Sequence, residues 1–410
     1  MNQLAGRFGI NREALAFGLA GFVLIILITL QILRPVPRIG PTSLQPVSHQ
    51  IGSTPPELPW PSTGSAAIAV AGLGTIASHG PQTAQPLAST VKMMTALQIL
   101  EDHPLPLAQQ GPMIPVSAAD VATYQSEKDQ GQSVFPVVAG EQLTEYQALE
   151  ALLVPSGNNV ADLLATWDAG SLPAFVGKMN ARTLAVGMTQ TKYVDASGFS
   201  PDSVGTPGDL ITLAQVAMRN PVFAEIVKQP EATLPVGGRV FNVDAALGQE
   251  GIIGVKTGSS PQAGACFVFA ADIQADGQPA RLYGAVLGLP TLENAFNGAT
   301  GLIHAVVPAL HYRSIISTEQ VIAEYAAPWG DQATVFVEQD VNWVVYDGMA
   351  EHITTDLKPV APPLASGSNV GSVTLRVGDE KTKIPLKTTG GIFDPDIFWR
   401  LTRLGSGALF

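Results

Sequence analysis

The sequence predicts an α/β (α+β) domain, an antiparallel sheet flanked by helices, joined to a small all-β C-terminal domain and one N-terminal transmembrane helix. Residues 14–33 are almost entirely apolar and uncharged. Residues 62–312 contain both helical apolar patterns and β-branched runs, whereas residues 316–390 contain mainly short strand patterns. The remaining segments are a cytoplasmic N-terminus at 1–13, a Pro-rich extracytoplasmic linker at 34–61 and a C-terminal tail at 391–410.

The N-terminal apolar segment is long enough to span a membrane, because a helix over residues 14–33 is about 30 Å long. No small-residue cleavage pattern follows promptly, so we expect an uncleaved signal anchor. The chemistry of the motifs described below places the domain over residues 62–312 outside the membrane. Arginines flank the segment on both sides and do not fix its orientation. The eight prolines between residues 35 and 61 predict a stiff, extended spacer of at most about 90 Å, with simple disorder as the alternative.

Composition argues against several classes of protein. A net charge of −12 disfavours nucleic-acid binding, which needs basic patches. The single Cys266 excludes an intrachain disulfide, and its apolar surroundings predict a small core residue. The six histidines have no metal-ligand spacing, so we expect no metal and no cofactor.

The first motif that carries chemistry is Ser89-Thr-Val-Lys92, in a segment with helical apolar spacing. We expect Pro86 in the first turn of this helix and His103 at its end. Residues three apart share a helix face, so Ser89 and Lys92 lie side by side. A serine nucleophile needs a base, and a lysine can serve when burial or a second cation, here Lys256, destabilises its ammonium. For the motif alone, a helix with one exposed Ser and one exposed Lys is the alternative.

The second motif is Ser156-Gly-Asn158, at a predicted turn between two helices. Thr144-Glu-Tyr-Gln147 fits a capping box for a helix that ends before Pro155, and Asn158 starts the next helix. A hydroxyl in such a turn can relay a proton to a leaving amine, and an amide can hold a substrate carbonyl. An ordinary polar turn is the alternative for this motif alone.

The third motif is Lys256-Thr-Gly258, in a β-branched run over residues 251–260 that two further apolar runs follow as strands. Lys256 and Thr257 supply a positive charge and a hydroxyl, the groups that bind a terminal carboxylate. Gly258 lets a substrate backbone lie against the strand edge. Taken alone, the motif also fits a strand that ends in polar residues.

In this order the three motifs resemble those of low-molecular-mass penicillin-binding proteins of the serine-type D-alanyl-D-alanine carboxypeptidase family, within the serine β-lactamase and transpeptidase superfamily. Further segments, Phe175-Val-Gly-Lys-Met-Asn180 and Asp195-Ala-Ser-Gly-Phe199, are also similar. The resemblance extends over residues 62–312 and, more weakly, 316–390, and implies a penicillin-binding/β-lactamase-like fold. One departure is that the predicted first strand, residues 66–77, lacks the Asp and Gly pattern common in family members.

The resemblance also implies the roles of individual residues. It implies that the catalytic residues are the acyl-ester nucleophile Ser89, the general base Lys92, the proton relay Ser156, and Asn158. The substrate-binding positions fall on Lys256, Thr257, Gly258 and Ser259. The backbone N–H groups of Ser89 and Ser259 are expected to form an oxyanion hole, and such donors lower a barrier by several kcal/mol.

After about residue 312 the pattern changes to short strands, which predict a small β domain over residues 316–390 that acts as a pedestal or an interaction module. The predicted strands lie at 335–337, 343–346, 373–377 and 383–387. The chain then has Ile397, Leu401 and Leu404 on one helical face, with two arginines beside them. We expect this face to pack against the protein rather than on the membrane, because an N-terminal anchor already exists.

Together, these expectations predict a serine D-Ala-D-Ala carboxypeptidase anchored in the bacterial cell membrane. It is expected to act on peptidoglycan stem peptides through an acyl-enzyme on Ser89 and to bind β-lactam antibiotics as inhibitors. A DD-endopeptidase is one alternative, and a β-lactamase is another, although its deacylating Glu motif is not evident. A non-catalytic wall-binding protein is the third, and the complete set of motif residues argues against it.

Overall fold

The structure is a computed structural model that describes residues 12–44, 48–52 and 54–403. In these residues the α-helices are α1 (Arg12–Leu33), α2 (Lys92–Asp102), α3 (Ala118–Asp129), α4 (Glu145–Leu153), α5 (Asn158–Ala169), α6 (Leu172–Ala185), α7 (Pro207–Ala217), α8 (Pro221–Val227), α9 (Leu292–Val306) and α10 (Ile397–Thr402). The strands are β1 (Pro41–Ser43), β2 (Ser48–Gln50), β3 (Ser65–Val70), β4 (Gly74–His79), β5 (Gln85–Pro86), β6 (Met113–Pro115), β7 (Gln142–Thr144), β8 (Val204–Gly205), β9 (Glu231–Leu234), β10 (Gly238–Phe241), β11 (Ile252–Ser260), β12 (Gly264–Ala275), β13 (Gln278–Leu289), β14 (Leu310–Ile316), β15 (Ala323–Ala326), β16 (Gln332–Phe336), β17 (Val341–Tyr346), β18 (Ala350–Leu357), β19 (Asn369–Val377) and β20 (Glu380–Thr389).

The catalytic region is built on an antiparallel five-stranded sheet in the order β11-β12-β13-β3-β4. One face packs on the helices that include α2, α4, α5 and α7, and the other packs on α9. This confirms the predicted sheet flanked by helices. The free Cys266 on β12 is fully buried among apolar residues, as expected.

The single first strand predicted over residues 66–77 is wrong. The segment forms two strands, β3 and β4, that pair as a hairpin. Its turn contains Gly72 and Gly74 at φ +86° and +80°, a backbone region that glycine enters without strain. The apolar run continues through the turn, so hydrophobicity alone did not indicate the reversal.

The C-terminal region contains a seven-stranded antiparallel sheet in the order β1-β15-β16-β20-β19-β18-β2. The strands predicted at 335–337, 373–377 and 383–387 correspond to β16, β19 and β20. The strand predicted at 343–346 is β17, which pairs with β14 in a separate ladder. Because β14 covers Leu310–Ile316, the chain enters this ladder at the predicted end of the catalytic domain.

The proline-rich segment 34–61 is not the extended spacer that its composition predicted. Its strand β1 pairs with β15, its strand β2 pairs with β18, and Ile39 bonds with Val360. Ile39 and Ile51 are buried in the same core as the C-terminal strands. Unpaired backbone at the sheet edges and these two isoleucines bind the segment to the domain, which proline content did not reveal. Residues 45–47 and 53 lie outside the described residues.

Helix α1 includes an apolar stretch, Leu15–Leu33, that is long enough to cross a membrane and has a mean hydropathy of 2.5. None of its most apolar window is buried in the protein. Most of the segment predicted as cytoplasmic, residues 1–11, lies outside the described residues.

The C-terminal helix α10 packs on the end of α1. Arg400 donates a hydrogen bond to the carbonyl of Ile32, and Arg403 donates one to the carbonyl of Gln31. The helix therefore packs against the protein, but the prediction that its apolar face does so is wrong, because Ile397 is 62% exposed and Leu401 is 38% exposed while the two arginines make the contacts. Leu404, the third residue of the predicted apolar face, lies outside the described residues.

Candidate active site

Ser89 and Lys92 meet at the junction of two helical elements. Ser89 lies in a 3₁₀ turn, Ala88–Val91, and Lys92 is the first residue of α2. Side chains three apart eclipse each other in a 3₁₀ helix, so Lys92 Nζ donates a hydrogen bond to Ser89 Oγ at 2.8 Å. The expectation that Pro86 starts this helix is wrong, because Pro86 belongs to β5 and pairs with Val204 of β8. α2 ends before His103, as predicted.

Lys92 is fully buried and is held by three acceptors. Besides Ser89 Oγ, its Nζ donates to Asn158 Oδ1 at 2.6 Å and to the Ser197 carbonyl at 3.0 Å. Burial lowers the pKa of Lys92 well below its usual value, and the Lys256 cation lowers it further. The carboxylates of Asp195, Glu127 and Asp162 offset part of this shift. In the neutral amine that these pKa shifts favour, two N–H groups serve Asn158 Oδ1 and the Ser197 carbonyl, and the nitrogen lone pair accepts the hydrogen bond from the Ser89 hydroxyl.

The second motif lies between two helices, as its sequence predicts. Thr144 caps α4 in a capping box with Gln147, α4 ends at Leu153, and α5 begins at Asn158. Ser156 has φ +65°, a strained conformation for a residue with a side chain. In the described part of the chain its buried Oγ has no hydrogen-bond partner. The hydroxyl therefore keeps its hydrogen-bonding capacity unused at the turn between α4 and α5.

Lys256 and Thr257 lie on β11, the edge strand of the five-stranded sheet. Both residues are buried. Burial lowers the pKa of Lys256 to about 8, and the nearby Asp244 carboxylate opposes that shift. Within the described residues, Lys256 Nζ makes its one hydrogen bond to the Thr257 carbonyl, at 3.1 Å. An ammonium has three donors, so this one retains capacity for an anionic partner.

Two glycines, on two different segments of the chain, pack closely against the 3₁₀ turn that carries Ser89. A Cβ at Gly258 of β11 would lie 2.8 Å from the Ser89 backbone nitrogen. A Cβ at Gly198 would lie 1.8 Å from the Ala88 carbonyl oxygen. Gly258 thus brings the strand edge against Ser89, in addition to the role that its sequence context suggested. The next residue, Ser259, is exposed at the end of this edge.

The structure joins Ser89, Lys92 and Asn158 by direct hydrogen bonds, and it brings Gly258 against the turn that carries Ser89. Sequence reasoning missed Gln132, whose Oε1 accepts a hydrogen bond from Asn158 Nδ2 at 2.5 Å. It also missed Asp244 and the Ser197 carbonyl. The similarity of segment 195–199 to a family segment was the available signal for Ser197, whereas Gln132 and Asp244 lie in no motif.

Comparison with known proteins agrees with this geometry. A profile described as D-alanyl-D-alanine carboxypeptidase matches residues 64–291. A D-alanyl-D-alanine carboxypeptidase of Mycobacterium tuberculosis is 35% identical over 203 residues, which cover 48% of this chain and 65% of that relative, slightly less than two thirds of its length. A D-alanyl-D-alanine endopeptidase of Pseudomonas aeruginosa is 31% identical over 240 residues, covering 55% of this chain and 74% of the relative.

Among solved structures, a D-alanyl-D-alanine carboxypeptidase of Francisella tularensis has a TM-score of 0.62 at 19% identity. The alignment covers 84% of this chain and 96% of that structure, so the similarity of fold extends beyond the catalytic sheet. A DD-transpeptidase of Streptomyces has a TM-score of 0.53 at 26% identity, covering 62% of this chain and 98% of that structure. These neighbours support the predicted penicillin-binding-protein fold.

Proposed function

The chain belongs to the D-alanyl-D-alanine carboxypeptidase family of serine peptidases, and on that premise we propose that it removes the terminal D-alanine from peptidoglycan stem peptides. The observation that carries the proposal is the 2.8 Å hydrogen bond between Lys92 Nζ and Ser89 Oγ at a buried lysine. A buried amine with a lowered pKa can accept the hydroxyl proton at neutral pH. A surface Ser–Lys pair has no such property.

In acylation, Ser89 Oγ attacks the carbonyl of the penultimate D-alanine while its proton passes to Lys92. The developing oxyanion is held by the backbone N–H groups of Ser89 and Ser259. The peptide bond then breaks, and the proton is delivered to the departing D-alanine nitrogen through Ser156. The unpartnered Oγ of Ser156 supports this role, because a relay must bond to both donor and acceptor.

Two groups are assigned to hold the substrate. Lys256 and Thr257 bind the terminal carboxylate, and a charged partner for the spare donors of Lys256 is consistent with its single hydrogen bond. Asn158 fixes Lys92 and faces the acyl part of the substrate. In deacylation, Lys92 takes a proton from the water that attacks the ester carbonyl, and it returns this proton to Ser89 Oγ as the ester C–O bond breaks. β-Lactams are expected to acylate the same serine as inhibitors.

We assign the exposed apolar helix α1 as an uncleaved anchor in the bacterial cell membrane, with the catalytic domain on the outer side. Its apolar length supports this assignment, and so does the chemistry, because peptidoglycan lies outside the membrane. An intact α1 in mature protein isolated from cell membranes is the expected finding. A mature chain that begins after Leu33 would contradict the anchor.

The function is tested with the full chain in detergent and a pentapeptide that ends in D-Ala-D-Ala. Mass spectrometry should detect loss of one alanine, and Ser89→Ala should abolish both this loss and covalent labelling by a fluorescent penicillin. Retained labelling of Ser89→Ala would contradict the assignment of the nucleophile.

A DD-endopeptidase is the second candidate, because the Pseudomonas aeruginosa relative carries that name. The two activities differ in the leaving group, which is free D-alanine in one case and a second peptide strand in the other. A cross-linked peptide dimer offered beside the pentapeptide measures the balance. Cleavage of the dimer at the higher kcat/KM would favour the endopeptidase.

A further inference from the structure

The outer face of the C-terminal sheet carries basic side chains in an acidic protein. Along β18, β19 and β20 the residues alternate between the core and the solvent. In these three strands, which the structure describes completely, Asp356 is the only carboxylate on the solvent side, although the chain has 34 Asp and Glu residues against 22 Lys and Arg. A solvated face ordinarily mixes charges of both signs. The residues that we call the basic face are His352, Lys358, Arg376, Lys381 and Lys383.

The strand register places like charges directly beside each other on this face. His352 of β18 is opposite Arg376 of β19, and Arg376 is opposite Lys381 of β20. Neighbouring side chains in such a row are about 5 Å apart, and like charges at this separation destabilise a sheet. The row crosses inner strands of the sheet, so protection of an exposed strand edge does not account for it. A bound anion would remove the repulsion.

Three lysines of the basic face lack partners within the described residues. A fourth lysine on the same side of β20, Lys387, is paired with the Glu338 carboxylate at 2.7 Å. The ammonium groups of Lys358, Lys381 and Lys383, in contrast, make neither a hydrogen bond nor an ion pair in the part of the chain that the structure describes. These three groups keep all their donors for a partner from outside.

A cavity of about 490 Å³ lies on the same side of the sheet, with Lys358 and Lys383 in its lining. Asn369 and Ser372 add an amide and a hydroxyl to this lining. Lys358 follows His352 by six residues, which is about 20 Å along an extended strand. Basic groups spread over this length exceed the reach of one small anion. They fit an extended polymer with repeated anionic groups.

The direction of the basic face distinguishes a polymer from membrane lipid. At one end, the turn between β19 and β20 contacts the catalytic region, where the Asp379 N–H donates to the Leu73 carbonyl at 3.1 Å. Toward the other end, Val360 pairs with Ile39, six residues after α1 ends. Lipid headgroups at the end of α1 would therefore reach only the part of the face near Ile39. The solvent side of these strands also lacks exposed large apolar side chains, which insert into lipid.

We propose that the basic face binds a linear anionic polymer that carries phosphate or carboxylate groups along its length. The three unpartnered lysines supply ammonium groups. Arg376 donates from Nε to the Gly378 carbonyl at 3.1 Å and has two further nitrogens to share with an oxyanion. The inference goes beyond the proposed function, because the basic face shares no residue with the serine cleft.

The test measures binding of fluorescently labelled polyphosphate and polygalacturonate to the full chain in phosphatidylcholine nanodiscs. Neutral dextran is the reference polymer. We expect one polyanion or both to bind, dextran not to bind, and the affinity to fall as salt is raised, because salt screens exposed charges. The tighter polyanion identifies the anionic group. Absence of binding by both polyanions would overturn the inference.

A triple variant tests whether the basic face is responsible. Its Kd should rise about tenfold, because each exposed ion pair contributes about two- to threefold. A control triple variant removes the same charge from exposed positions of the catalytic region, and its Kd should stay within about twofold. An equal rise in both would overturn the inference, because net charge alone would then explain binding. Thermal unfolding checks that both variants are folded. The test variant is Lys358→Gln, Lys381→Gln, Lys383→Gln, and the control is Lys192→Gln, Arg219→Gln, Lys228→Gln.

Asp356→Asn changes the face in the opposite direction. This carboxylate lines the cavity between the lysines, so its neutralisation should lower the Kd about twofold. A raised or unchanged Kd would contradict the position proposed for the polymer.

Nanodiscs that contain phosphatidylglycerol test lipid as the competing occupant. General repulsion between the lipid and the polymer cancels in the ratio of Kd between the two triple variants, which should stay about tenfold. A ratio of about one would assign the face to lipid headgroups and overturn the inference. Release of alanine from the pentapeptide, measured in parallel, reports only on the proposed function, so failure of either proposal is recognised separately.

Discussion

The two walls of the cleft each contain a buried lysine, and they differ in how that lysine is bonded. On the helical wall, formed by Ser89, Lys92 and Asn158, the amine has three hydrogen-bond partners and three carboxylates nearby. On the strand wall, formed by residues 256–258, the amine bonds to one backbone carbonyl and has one carboxylate nearby.

The difference indicates that the helical wall transfers a proton and that the strand wall binds an anion. Lys92 is oriented before substrate arrives, as a group that moves a proton must be. Lys256 keeps donors free, as a group that binds an anion must do. One wall is thus preorganised for reaction, and the other is completed by substrate.

The largest loss of activity is expected from a substitution in the helical wall. Lys92→Ala removes the proposed base while leaving the strand wall intact, so the acylation rate constant should fall by about 10² to 10⁴. Stopped-flow measurement of penicillin acylation gives this rate constant directly. The equilibrium constant for the preceding noncovalent complex should change little. A weakened complex with an unchanged rate constant would reverse the assignment of the walls.

Lys256→Ala should act mainly on recognition. Loss of a hydrogen bond to a charged group costs about 1.5 to 3 kcal/mol, which corresponds to about 10- to 150-fold in kcat/KM. A peptide with a C-terminal amide in place of the carboxylate supplies the matched comparison. The unmodified chain should discriminate strongly against the amide, and the variant should not. Equal discrimination by both proteins would exclude Lys256 as the carboxylate partner.

The dependence of kcat/KM on pH should distinguish the contribution of Lys256 from that of Lys92. The pKa of Lys256 is lowered to about 8, so its positive charge is present below that pH and is lost as the pH rises through it. We therefore expect kcat/KM to decline above about pH 8, although a neutral Lys92 is increasingly available there. Lys256→Arg stays charged and should move this alkaline limb upward. An alkaline limb at the same pH in both proteins would assign it to another group.

The smallest effect is expected from the N-terminal cap of α4, the helix that precedes the second motif. Thr144→Ala removes a capping box and should lower the free energy of unfolding by about 1 kcal/mol. The acylation rate constant should change by less than about twofold, because hydrogen bonds from Lys92 and Gln132 still hold Asn158. Thr291→Ala, at the cap of α9, is the control for stability alone. A tenfold slower acylation in Thr144→Ala only would mean that the cap positions the helical wall.

Much of the site could be predicted because its signals are local. The spacing of Ser89 and Lys92, the capping box at Thr144 and the proline before Ser156 each act within a few residues of the chain. The strand that carries Lys256 was predicted from its own apolar pattern. The assignment of roles, in contrast, came from the resemblance and remains a proposal.

The parts that the sequence did not reveal depend on contacts between distant segments. Glu127 and Asp162 lie on separate helices and become neighbours only when α3 packs on α5. The hairpin at residues 66–79 continues the hydrophobic run through its glycines. The pairing of β1 and β2 with the C-terminal sheet joins residues that are more than 270 positions apart, and no pattern within either segment specifies it.

The placement of β1 and β2 has a practical consequence for any soluble form of the protein. These two strands occupy the two outer positions of the seven-stranded sheet, so the segment that leaves α1 covers both of its open edges. A fragment that starts at residue 62 would expose unpaired backbone along β15 and β18, and such edges template aggregation. A fragment that starts at residue 35 lacks the apolar helix and keeps both edges covered. The shorter chain should therefore be the less soluble of the two.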